Sequence, residues 1–329
     1  MPRHLGSVIG VWLLFLFGSL GNGHAYVRTR TNVSCRLVRW EQSCIYVQPD
    51  AEYQRDERPT AEVLSDITMS INSWNDRLFP TGFVRFVQLS ADDSREASQT
   101  DRLNYVKFRF GFWGRPATET RSKVPFDSSA AGLTTVSWLN KPDDPGLDGR
   151  LVDADIDLNA VHFRFVDAAQ TASFVSTDNR RLADLRWVMT HELGHVLGLD
   201  HTCSLDPLAA TCETDQRGNK VPSCEQVDVL RPTTPAMQTA FEALMYPNLI
   251  PSEQRRAPTS DDLAGILDTY PAYADPQQCS LPAVVAGCEV ASAKSRRGIV
   301  TLFWGSGILF ALLALNVRFF RRKSSKFLE

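Results

Sequence analysis

The stretch HELGHVLGLDH, residues 191–201, decides how the rest of this chain is read. Upstream of it Leu182, Leu185, Val188 and Met189 recur at helical spacing, which predicts a helix over about 182–197. On such a helix His191 and His195 are four residues apart and share a face, so two imidazoles can bind one metal ion. Glu192 sits one step round the helix, near that ion but too close in sequence to His191 to be an obvious ligand. Gly198 suits a helix end, because glycine enters the left-handed region at no steric cost. The chain then turns back, and His201 can offer a third nitrogen, with Asp200 as a rival ligand. Three protein ligands leave a fourth tetrahedral position open, which is the pattern of a catalytic zinc site.

His191, Glu192, His195, Gly198 and His201 fit the pattern H-E-x-x-H-x-x-G-x-x-H, so the chain resembles the metzincin metalloproteases. Further on, Ala243-Leu244-Met245-Tyr246-Pro247 is similar to the Met-turn of the matrixin branch, whose methionine lies beneath the zinc; Met245 takes that part. The sequence PTSDDLAGILDTY, residues 258–270, is similar to the matrixin C-terminal helix. The resemblance implies an α+β catalytic domain with a twisted mixed sheet, an active-site helix and a C-terminal helix. It implies zinc held by His191, His195 and His201, with Glu192 activating the attacking water on a protein or peptide substrate. It also puts residues 150–158 at the lower rim of the cleft, antiparallel to their neighbours, where an extended peptide would pair through its main chain. The competing expectation is a membrane-tethered, non-catalytic zinc-containing binding or adhesion module, against which the presence of Glu192 argues.

Three departures from the matrixin pattern matter. His201 and Met245 are separated by more chain than matrixins use, so residues 202–242 form a cysteine-bearing insertion beside the cleft. Beyond the leader, His162 is the only histidine outside the motif, so a second zinc site built from histidines is not expected. Tyr26 leads almost directly into the catalytic domain, so no pro-segment with a cysteine switch is expected either.

The two ends of the chain read differently from its middle. Arg3 and His4 precede an apolar run, and small residues follow near Ala25, so residues 1–25 read as a secretory signal peptide. Residues 298–317 are apolar, carry no charge and are long enough to span a bilayer. Arg318, Arg321, Arg322, Lys323 and Lys326 follow, which orients the tail 318–329 toward the cytoplasm. Between them lie the protease domain, 26–275, and a juxtamembrane stalk, 276–297, both outside the cytoplasm. That external region holds 29 Lys and Arg against 37 Asp and Glu, which speaks against nucleic acid as a partner. The C-terminus has two open readings. One is a plain membrane anchor. The other is a tail with Cys288 as its processing point, resembling the Cys–helix–Arg signals cut by rhombosortase- or myxosortase-like sorting proteases.

Seven cysteines in the external region suit an oxidising compartment. The spacing suggests a local bridge between Cys35 and Cys44, two bridges among Cys203, Cys212, Cys224 and Cys279, and Cys288 left over. Helical periodicity runs from Val63 through Ile67 and Ile71 to Trp74, with Thr60 as N-cap. Alternation predicts strands over 83–87, 105–110, 132–139 and 151–158, with one or two more in 26–47. In the fourth of these Asp153, Asp155 and Asp157 face one way, and the turn-rich loop 142–149 precedes them. That arrangement suits either a calcium site or a solvated strand face.

Overall fold

The computed structural model describes residues 24–91, 103–115, 122–167, 178–205, 212, 214–216, 218–229, 234–250 and 253–279. The chain divides into two units at Pro282/Ala283, and every described residue belongs to the first. Among the described residues no helix is long and apolar enough to cross a membrane. Residues 1–23 of the leader, the apolar stretch 298–317 and Cys288 lie outside them.

A five-stranded mixed sheet forms the body. In chain order its strands are β2 (Cys44–Pro49), β3 (Arg85–Gln88), β4 (Asn104–Arg109), β7 (Gly132–Trp138) and β8 (Leu151–Asn159). Their spatial order is β3-β2-β4-β8-β7, parallel throughout except for β7, which runs antiparallel to β8. Four two-residue strands and one further pair complete the set. β1 (Val27–Arg28) pairs with β11 (Leu199–Asp200), β5 (Gly114–Arg115) with β6 (Val124–Pro125), and β9 (Phe163–Val166) with β10 (Arg181–Asp184).

Two long helices lie on the sheet. α1 (Thr60–Leu78) buries Val63, Ile67, Ile71, Trp74 and Leu78, the stripe its periodicity predicts. Its N-cap is Pro59, with no side-chain cap, so Thr60 is the first helical residue and not the cap. α2 (Leu185–Val196) carries the histidine motif. It begins three residues later than the spacing suggests, because Leu182 is taken into β10. Asp184 then caps the helix, its side chain accepting from the amides of Arg186 and Trp187. The two helices are tied by Trp74 Nε1, which donates to Thr190 O at 2.8 Å, and Ser70 Oγ, which donates to Arg186 O at 3.2 Å. Val47, Val106, Phe108, Ile156 and Leu158 complete the core from the sheet.

The insertion carries two short helices, α3 (Cys224–Val229) and α4 (Pro235–Glu242); α5 (Ser260–Thr269) closes the domain. The cysteine pairing differs from the expectation. Cys35 joins Cys212, Cys44 joins Cys279, and only Cys203–Cys224 falls within the expected set of four. Cys44 opens the interior strand β2, between β3 and β4, so it is unavailable to a local hairpin and instead clamps the end of the described chain. Tyr46 Oη reinforces that clamp by donating to Cys279 O at 3.0 Å. The ordered body thus runs past residue 275.

Peptide mapping without reductant is expected to return these three bridges. Each closed loop of this kind contributes about 2–4 kcal/mol. Recovery of a Cys35–Cys44 peptide would overturn the assignment.

Candidate metal centre

Gly198 ends the α2 turn at φ +83°, and a Cβ there would lie 2.7 Å from Val38 O, so this position needs glycine on both counts. The chain reverses into β11, whose pairing with β1 fixes where His201 emerges. His191, His195 and His201 come together there, and among the described residues they alone gather three metal-capable side chains within reach of one ion.

The ring orientations follow from hydrogen bonds at the far nitrogens. Nδ1 of His191 lies 2.8 Å from Leu244 O, and Nδ1 of His195 lies 2.9 Å from Leu199 O. A carbonyl only accepts, so each Nδ1 carries the proton and each Nε2 keeps its lone pair. His201 Nε2 lies 3.2 Å from Nε2 of His191 and 3.1 Å from Nε2 of His195. Zinc–nitrogen bonds of roughly 2.0–2.1 Å in a tetrahedron put neighbouring ligand nitrogens about 3.3 Å apart, so the donors fit zinc. Burial, assisted by the nearby His195, pushes His191 down to about 3. Burial also holds His201 well below the usual histidine range. Both imidazoles are therefore neutral, as ligands must be. Asp200 is not part of the cluster; its Oδ1 accepts from His201 N at 2.8 Å.

Glu192 is buried against the edge strand. Burial pushes its carboxyl above the usual carboxylate range, opposed by His195 and by the Thr134 hydroxyl that donates to its Oε2. Met245 is buried on the other side of α2. A Cβ at Gly194 would lie 2.3 Å from its Sδ, so only glycine at 194 lets the methionine approach the helix this closely. The turn is held by Asp262, which accepts from Leu244 N at 3.0 Å and Met245 N at 3.2 Å.

Residues 106–229 match the family model described as matrixin, peptidase M10. That stretch is similar to a matrixin domain. A search of the curated proteins finds no match. The matched stretch of the matrixin-like domain runs from β4 to α3 and includes Glu192 and the three histidines; Met245 and α5 lie beyond it. The match supports a zinc metalloprotease-type function acting on peptides, and the histidine cluster is compatible with that metal.

Two expectations for the matrixin-like domain need correction. Residues 150–158 are not the rim. β8 is an interior strand, parallel to β4 on one side and antiparallel to β7 on the other, so both its edges are occupied. The rim is β7, which flanks α2 at the end of the sheet, and among the described residues its outer edge has no strand partner. Nor is the acidic side of β8 a solvated face. Asp153, Asp155 and Asp157 are all buried. Asp155 Oδ1 accepts from Tyr105 N at 3.0 Å, and Asp157 Oδ1 accepts from Arg109 Nε at 2.6 Å. Among the described residues they do not gather as a metal-binding group, so the structure offers no support for calcium there.

Gly132, Thr134, Gly194 and Asp262 were not singled out by sequence reasoning as site residues. The signal available for the first two was the strand alternation that puts 132 and 134 on one face. For Asp262 it was the spacing Thr259-x-x-Asp262, a capping-box pattern that the structure forms.

Proposed function

We propose that this chain is a zinc-dependent endopeptidase acting outside the cytoplasm, with His191, His195 and His201 as ligands and Glu192 as general base and acid. The observation that carries the reading is the convergence of three imidazole Nε2 atoms beside Glu192, the next residue along the helix from His191. Zinc bound there would lower the pKa of a coordinated water to about 7 and polarise the scissile carbonyl. Glu192 accepts the proton of the attacking water and returns it to the departing amine. The backbone edge of β7 receives the substrate as an additional strand, with main-chain hydrogen bonds setting its register. Met245, pressed on Gly194, supports the floor of the site from below.

The leader at 1–25 and three disulfides support a place outside the cytoplasm. The apolar stretch 298–317 with its basic flank supports attachment to a membrane. Zymography with and without a chelator tests the activity. Clearing that disappears with chelator and returns with zinc is the expected result, and its absence on all protein substrates would leave only a zinc-holding module.

The ligand set has its own test. His201→Ala is expected to leave the protein with well under one equivalent of zinc after dialysis, since two imidazoles from one helix turn remain. Full zinc content in that variant would move the third ligand to Asp200.

A further inference from the structure

The edge strand bears directly on the carboxylate of Glu192. Gly132 and Thr134 lie two residues apart on β7 and face α2. Thr134 Oγ1 donates to Glu192 Oε2 at 2.6 Å and lies 3.2 Å from the main-chain oxygen of the same residue. At Gly132 a Cβ would stand 2.6 Å from Oε1 and 2.9 Å from Cδ and Cγ. The side chain of Glu192 therefore rests on bare backbone at 132 and is held at one oxygen by the hydroxyl at 134.

The chemistry of threonine makes that hold directional. Branching at Cβ stiffens χ1, so the strand backbone itself aims the hydroxyl. A glutamate has three side-chain rotors, and proton transfer needs its oxygen within hydrogen-bond reach of the reacting water. We propose that Thr134 is a positioning residue, which fixes the rotamer of the Glu192 carboxylate from the strand along which the substrate pairs. The substrate's register and the base's position are then set by the same few residues of backbone. This rests on the peptidase reading of Glu192 given above.

The test uses Thr134→Val, which keeps shape and loses the hydroxyl, and Thr134→Ser, which keeps the hydroxyl. Thr134→Val is expected to retain zinc and to leave KM within about twofold. It is expected to lower kcat about ten- to a hundredfold, the range for a hydrogen bond to a charged group. Thr134→Ser should restore most of that turnover. In a Glu192→Gln background Thr134→Val should add less than about a twofold loss, because the two act as one unit. A crystal structure of Thr134→Val should show the carboxylate displaced from its place beside β7. An unmoved carboxylate with unchanged kcat overturns the proposal, as does an equal loss in Thr134→Ser. If the unaltered chain hydrolyses no peptide, the peptidase reading fails, while the position of Glu192 in the Thr134→Val crystal still decides whether the hydroxyl holds it.

Discussion

Glu192→Gln is expected to keep its zinc and to lose about 10²–10⁴-fold in peptide hydrolysis, the usual weight of one general acid–base group. The substitution is close to isosteric, so the side chain still lies against Gly132, where there is no Cβ to clash with it. Its amide oxygen can still accept from Thr134 Oγ1. None of the three imidazoles is touched, and the Nδ1 hydrogen bonds of His191 to Leu244 and of His195 to Leu199 do not involve residue 192. What disappears is a group able to take a proton. Metal content by elemental analysis and kcat on a casein-derived peptide would be read on the same preparation. Turnover within tenfold of the unaltered protein, at full zinc, would remove Glu192 from the proposed role.

The centre was legible in the sequence because its parts are local. A four-residue spacing on a helix, a glycine that ends it and a third histidine three residues on all fall inside eleven positions. The tautomer of His191 was less so, since it depends on Leu244 O, more than fifty residues further along the chain. The rim was misplaced for a related reason. Alternation in 151–158 identifies a strand with two unlike faces, but not its neighbours. β8 is interior because β4, some 47 residues earlier, pairs with it along Val106↔Ile156 and onward. An internal strand normally reads as a continuous apolar run. Here the polar face is buried with partners of its own, such as Arg109 for Asp157, so the period of two survives in an interior position.

Disulfide connectivity was illegible on similar grounds. The chain's proximity in space, not its spacing, brings Cys35 to Cys212 across 177 residues and Cys44 to Cys279 across 235. Thr134 shows the limit most clearly. In the sequence it is one of two adjacent threonines in an ordinary strand, and only the packing of β7 on α2 distinguishes the one that meets Glu192 from its neighbour.

The second large effect is expected at a residue that touches neither metal nor substrate. Asp262 is fully buried. Its carboxylate accepts from Leu244 N, Met245 N, Thr259 N at 2.7 Å and Thr259 Oγ1 at 2.7 Å, joining the Met-turn to the start of α5. Asp262→Ala leaves two turn amides buried without acceptors and removes half of a capping box. At about 1–3 kcal/mol for each stranded amide, with about 1 kcal/mol for the cap, the loss of stability is expected to be about 3–7 kcal/mol. The effect should reach the metal as well. Leu244 gives its N–H to Asp262 and its carbonyl to Nδ1 of His191, so a shifted turn misorients that ligand. Loss of such a support behind a metal-binding histidine typically weakens binding about 10–100-fold. Asp262→Asn separates shape from charge. It refills the space but offers one acceptor oxygen where the carboxylate offers two, so it is expected to recover part of the stability and not all. Denaturant unfolding of the metal-free proteins measures the first effect, and zinc competition with a chelating dye measures the second. A stability change below about 1 kcal/mol in Asp262→Ala, or zinc affinity equal to that of the unaltered protein, would break the link from α5 through the Met-turn to His191.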